Sequence, residues 1–265
     1  MNILETIVEH KYEEVAKRKR DVKRSALAEM QYFERMTLPF RDALNCKEPF
    51  AIIAEIKRSS PSAGALNHHI NPPKFAEEYE KNGAAAISIL TDERFFHGTL
   101  QDVLAVREVV QLPILRKEFI IDEYQIVEAK AHGADAILLI ASILERSHLK
   151  ELFIAAKESH LECLVELYDE AEIDKLDFDI MKLVGINNRD LKTFEVDLGR
   201  TLQMAYRIPK DITLVSESGI HSSYDLKKLK TAGIQAALVG EHLMNAESPG
   251  TALRALLDGV QSNLL

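Results

Sequence analysis

The sequence predicts an α/β protein, a closed barrel of eight parallel strands preceded by a helical extension. Three observations carry that prediction. From about residue 50 onward, apolar runs of about five to seven residues alternate with amphipathic stretches of helical period, the signature of repeated βα units. The runs, AILLI and AALVG among them, are nearly continuously apolar instead of alternating, as expected of strands covered on both faces. The chain has 265 residues and is 46% apolar, which suits one (β/α)8 TIM barrel.

Residues 1–48 form the extension and 49–265 the barrel, read together as one domain. In the extension, Ile3, Ile7, Val8, Tyr12 and Val15 recur at helical spacing in a charged background, so an amphipathic helix packs against something. Its KRKRDVKR run reads as a solvated helix end in preference to an anion patch. Strands are expected near 50–56, 84–90, 112–116, 135–140, 161–166, 182–187, 212–217 and 235–239. Between them FAEEYEKNGA, EYQIVEAKAHGA and SSYDLKKLKTAGI each place a glycine just before the next strand, fitting a helix with a glycine C-cap. An open doubly wound sheet is the structural rival. Its nucleotide-binding versions carry GxGxxG after the first strand, and the turn here is KRSSPSAG.

Composition excludes several functions. A formal charge of −9 argues against broad nucleic-acid affinity, which depends on neutralising phosphates, while leaving room for a local anion site. No apolar stretch reaches the roughly 18 residues of a membrane helix, and MNILETIVEHKYEEVAKRKR lacks a signal-peptide core, so the expected location is the cytoplasm. Cys46 and Cys163 lie far apart without CxxC spacing and read as ordinary reduced thiols. His68 and His69 share a loop with no third ligand at obvious spacing, so no metal is assigned.

Side chains at the carboxyl ends of barrel strands converge on one mouth. Strand one brings Glu55 and Lys57, two apart and so on the same face, suited either to a rim salt bridge or to an acid–base pair. Strand three closes on Lys117. Strand five ends in Glu166 directly after CLV, where an unpaired carboxylate is costly to bury. Strand six ends in GINNRDL: Asn187 offers an uncharged donor and acceptor, and Arg189 has Asp190 or Asp197 as possible partners. SESGI and LVGEHLM put small residues after strands seven and eight, where many barrels bind phosphate through backbone amides. Phe95, Phe96 and Phe119 could each stack on a flat ring or pin a loop.

In order and spacing, AEIKRSSPSAG, SILTDERFFHGTL, PILRKEFIIDEYQI, LVELYDEAE, GINNRDLKTFEVDL, SESGI and ALVGEHLM resemble the indole-3-glycerol phosphate synthase family, and ILETIVEHKYEEVAKRK resembles its N-terminal extension. The resemblance implies a tryptophan-pathway lyase that closes, decarboxylates and dehydrates 1-(2-carboxyphenylamino)-1-deoxyribulose 5-phosphate without a cofactor. Possible association with other enzymes of that pathway is also implied. By the same match, Lys117 is the general acid of ring closure and Glu166 acts in acid–base transfer. Lys57 contacts the substrate carboxylate and can serve as the acid in dehydration, while Glu55 and Asn187 orient these groups. Ser218 is counted with the catalytic set. Ser60, Gly219, Leu238, Gly240 and Glu241 match substrate-binding positions, Glu241 through its backbone N–H. Arg189, Leu191, Phe95 and Phe119 match pocket positions.

Three other functions compete. A related barrel isomerase that opens a phosphoribosyl amine would call for a different catalytic pair, and the two strand-end lysines with Glu166 suit ring closure better. A class I aldolase would use a strand-end lysine as an imine-forming nucleophile. A regulatory barrel would keep only the anion site, without needing Glu55, Lys57, Lys117, Glu166 and Asn187 together.

Overall fold

A computed structural model describes residues 3–60, 64–65, 70–190 and 193–262. Its centre is a closed barrel of parallel strands: β1 (Ala51–Ile56), β2 (Ala86–Leu90), β3 (Ile114–Lys117), β4 (Ala136–Ile140), β5 (Glu162–Leu167), β6 (Leu183–Asn187), β7 (Thr213–Glu217) and β8 (Ala236–Val239). Each strand pairs with its neighbours in sequence, and β8 closes on β1 with Ala51 opposite Ala236. The expected eight-stranded barrel is thus the observed one, with strand bounds differing from expectation by a residue or two. Helix ends explain the spacing: Gly83, Gly133 and Gly233 take φ values of 99°, 86° and 81°, stopping their helices in the left-handed region that glycine enters without steric cost.

The pleat of each strand divides its side chains between two cores. Ala51 and Ile53 of β1, Leu115 of β3, Leu164 of β5 and Val215 of β7 fill the lumen. Their alternates, such as Ile52, Ala54, Val165 and Leu214, pack outward under the helices. Continuing the inward phase toward the carboxyl ends brings Glu55, Lys117, Glu166 and Glu217 to one mouth. Register fixes their level: Glu166 lies opposite both Ile140 and Gly185, and Asn187 opposite Glu217.

The extension covers both ends of the barrel. Phe40 and Leu44, buried in helix Phe40–Asn45, join the lumen core at its amino-terminal end, where Glu162 of β5 accepts from the Phe40 amide at 2.6 Å. Asp135, fully buried before β4, gathers Arg35 at 2.5 Å, Arg107 at 2.9 Å and the Leu38 and Ile114 amides. The first helix, Ile3–Asp21, lies at the opposite end and sends Ile3, Leu4 and Ile7 toward the mouth. Its basic terminus is not merely solvated, as the charge run suggested. Arg18 pairs with Glu14, Glu93 and Glu128, and Lys19 with Asp122 at 2.6 Å. Cys46 is exposed and Cys163 buried, both as free thiols.

Candidate active site

The mouth holds a pocket whose floor is charged and whose walls are apolar. At its centre lies the Lys117 ammonium, 2.7 Å from Glu217, 3.7 Å from Glu55 and 3.8 Å from Glu166. Lys57 pairs with the other oxygen of Glu55 at 2.6 Å, so the two residues do face one way, as their spacing required. Glycines make this crowding possible. A Cβ on Gly185 would run into the Glu217 carboxylate, and one on Gly240 into that of Glu55.

These neighbours set the protonation states. Burial disfavours charge on Lys117, but Glu217, Glu55 and Glu166 together outweigh it and hold its pKa above the ordinary lysine value. Glu55 is held below the usual carboxylate range: burial pushes the other way, and Lys57 and Lys117 prevail. Glu166 is raised to about 8, chiefly by burial and then by the Glu217 carboxylate, against the pull of Lys117. The site therefore holds an ammonium beside a carboxyl group whose surroundings favour its protonated form.

The β6 and β7 ends are joined by side-chain hydrogen bonds. Asn187 Oδ1 accepts from Ser218 Oγ at 3.0 Å and from the Arg189 amide at 3.0 Å. Fully buried Asn188 donates to Ser216 Oγ and to the carbonyls of Glu217 and Ser218. Ser218 and Gly219 both sit at positive φ, 66° and 79°, which turns the chain sharply after β7. Arg189 pairs with Glu241 at 2.8 Å, a partner other than the Asp190 and Asp197 that its neighbours in sequence suggested. That pairing neutralises the Glu241 carboxylate beside the Gly240 turn.

Of the residues singled out from sequence, Glu55, Lys57, Lys117, Phe119, Glu166, Asn187, Arg189, Ser218, Gly219, Leu238, Gly240 and Glu241 all line this pocket. Phe95 does not. It packs edge-on against His10 at 5.9 Å, while Phe96 lines the pocket and meets Phe119 at 6.0 Å between ring centroids. Asp92 caps the short helix Glu93–Phe96, and within it the two adjacent rings take different partners, His10 for Phe95 and Phe119 for Phe96. The backbone of Ser60 pairs with Gly64 in a short antiparallel ladder. The Ser60 side chain, Leu191, and the His68 and His69 loop lie outside the described residues.

Sequence reasoning missed Glu217, although SESGI contains it at the inward phase of β7 next to Ser218. It also missed the apolar roof of Ile3, Leu4 and Ile7, whose helical spacing was legible while its target was not. His221 and His242 flank the Gly219 and Gly240 turns in edge contact at 6.4 Å.

Comparison with known proteins agrees with this geometry. A family model for indole-3-glycerol phosphate synthase matches residues 4–256. The indole-3-glycerol phosphate synthase of Salinibacter ruber is 44% identical over 258 residues, 97% of this chain and 95% of its own. That of Desulfotalea psychrophila is 45% identical over 258 residues, 96% of this chain and 98% of its own. Among solved structures, a tryptophan synthase alpha subunit from Legionella pneumophila superposes with a TM-score of 0.62 at 12% identity, covering 83% of this chain and 96% of that one. A thiamine phosphate pyrophosphorylase from Pyrococcus furiosus gives 0.60 at 15% identity, covering 86% of this chain and all of that one. At such identities these two neighbours speak for the barrel alone. The family match over nearly the whole chain, together with a pocket built from the strand ends that carry the family's motifs, makes this chain a member of the indole-3-glycerol phosphate synthase family.

Proposed function

We propose that the pocket converts 1-(2-carboxyphenylamino)-1-deoxyribulose 5-phosphate into indole-3-glycerol phosphate, with Lys117 as the acid of ring closure. The observation that carries this assignment is the Lys117 ammonium held inside the barrel by Glu217, Glu55 and Glu166. A cation fixed there stabilises the negative charge that grows on the C2′ oxygen as the ring carbon attacks the ketone. It then delivers the proton. Glu166, protonated at neutral pH and 3.8 Å away, is placed to restore that proton to Lys117.

Loss of carbon dioxide then restores the aromatic ring. Lys57 protonates the departing C2′ hydroxyl, and the Glu166 carboxylate takes the proton lost from C1′. Two protons given and one recovered leave a net uptake of one, which balances conversion of a carboxylate into carbon dioxide. Asn187 and Ser218 orient the sugar hydroxyls, and Phe96 and Phe119 face the aromatic ring. The phosphate sits at the Gly219 and Gly240 turns, with the Glu241 carboxylate held off by Arg189.

Support for an acid role over an imine-forming one comes from the same three carboxyl groups. They favour the charged form of Lys117, whereas a Schiff-base lysine must give up its proton to become a nucleophile. The reading needs no cofactor, and it carries with it a cytoplasmic location and possible association with other tryptophan-pathway enzymes. Among the described residues no helix is long and apolar enough to cross a membrane. Incubation with the carboxyphenylamino substrate, without metal or nucleotide, is expected to yield indole fluorescence. Covalent capture of Lys57 or Lys117 by borohydride in the presence of substrate would replace the proposal with an aldolase-type one.

A further inference from the structure

Lys11 is the one fully buried lysine among the described residues, and its position has no role in the scheme above. It projects from the first helix into a slot between the ends of β2 and β3. There its ammonium lies 2.9 Å from each of Glu14, Asp92 and Glu118. Asp92 and Glu118 are themselves fully enclosed. Burying three charges is costly, and the arrangement holds only while the partners remain together.

Each carboxylate governs one wall of the pocket. Asp92 accepts from the Phe95 amide at 2.7 Å and so starts the turn that aims Phe96 at the ligand. Glu118 accepts from the Phe119 amide at 2.9 Å and from Thr91 Oγ1 at 2.9 Å. The Thr91 amide in turn donates to the carbonyl of Lys117 at 3.1 Å. One ammonium therefore binds the groups that place Phe96, Phe119 and the backbone of Lys117, and it belongs to the helix whose Ile3, Leu4 and Ile7 roof the pocket.

We infer that Lys11 is a positioning residue for ring closure, joining Asp92 and Glu118 so that both aromatic walls and Lys117 meet the substrate in one geometry. This rests on the reading of the pocket as the synthase site. Small misplacements of reacting groups are expensive in rate, so Lys11→Met lowers kcat by about tenfold or more, with a smaller change in KM. Val15→Ala, in the separate core of Val15, Leu27, Tyr124 and Ala131, loosens the same helix without touching the network and leaves kcat per folded molecule unchanged.

The test is kcat and KM for Lys11→Met, Glu118→Gln, the double variant and Val15→Ala, at a temperature where circular dichroism shows each folded. Because Lys11 acts through Glu118, the double variant is expected to lose no more than about twofold beyond Lys11→Met alone. Losses that multiply, or a Lys11→Met enzyme with lowered Tm and wild-type kcat, overturn the inference. Should Lys11→Met fail to fold, the isosteric Glu118→Gln decides: kcat falls several-fold if the inference holds and equals wild type if it does not. Wild-type enzyme without turnover, or Lys117→Met with full turnover, would instead overturn the reading of the pocket itself.

Discussion

Lys117 of β3 and Glu217 of β7 reach across the barrel from opposite sides and meet at 2.7 Å in its lumen. The pair links the acid assigned to ring closure with a carboxylate that also presses on Glu166. Repulsion from Glu217 is the second largest cause, after burial, of the raised Glu166 pKa.

Neutralising Glu217 should therefore be visible in the pH profile. Burial and Glu217 raise Glu166 to about 8, and the proposed scheme starts from its acid form, so kcat/KM should fall as pH rises through that value. In Glu217→Gln the repulsion is gone, Glu166 ionises more readily, and the alkaline limb moves to lower pH. Initial rates across pH check this. A limb that stays put or moves upward contradicts the coupling.

The same group makes stability depend on pH. Its folded pKa lies above its unfolded value, so the folded state binds the proton more tightly. The stability this confers is complete below the unfolded pKa of about 4.5 and is lost as pH rises toward about 8. Glu166→Gln cannot titrate. The Tm of the wild type relative to this variant should fall between pH 5 and 9, as calorimetry of both proteins would show.

Gly185 is predicted to resist replacement. A Cβ there would run into the Glu217 carboxylate and crowd Leu164, so the fully buried carboxylate would have to leave its place beside Lys117. Gly185→Ala should cost about 1–3 kcal/mol by denaturant titration, the usual range for overpacking. It should also reduce kcat, because Glu217 can no longer hold Lys117.

The two phenylalanines after β2 should separate cleanly. Phe96→Ala removes a pocket wall and is expected to raise KM or lower kcat by about tenfold, in keeping with loss of an aromatic contact and of orientation. Phe95→Ala touches His10 and the first helix, so its effect should fall on Tm and leave KM close to wild type.

How much of this could be read beforehand follows from where the signal lies. Strand ends are legible because the period of two fixes which side chains point inward: Glu55 and Lys57 were paired on that ground and do meet. Glu217 obeys the same rule but went unnoticed beside the more suggestive Ser218 and Gly219. Phe95 and Phe96 could not be told apart by period, since both lie in a tight turn capped by Asp92, whose other oxygen meets Lys11 of the first helix. Arg189 finds Glu241 across 52 positions of sequence, a partner that only the closed barrel supplies. The roof from the first helix is of the same kind: amphipathicity announces a buried face and is silent about what it faces.

In the proposed scheme ring closure depends on a proton donated by Lys117. The most direct measurement is single-turnover formation of indole fluorescence by wild type and Lys117→Ala, in a chain that itself contains no tryptophan. In Lys117→Ala the single-turnover rate should drop by about 10²–10⁴ while substrate affinity changes far less. A variant that binds weakly yet turns over at the wild-type rate once saturated would contradict it.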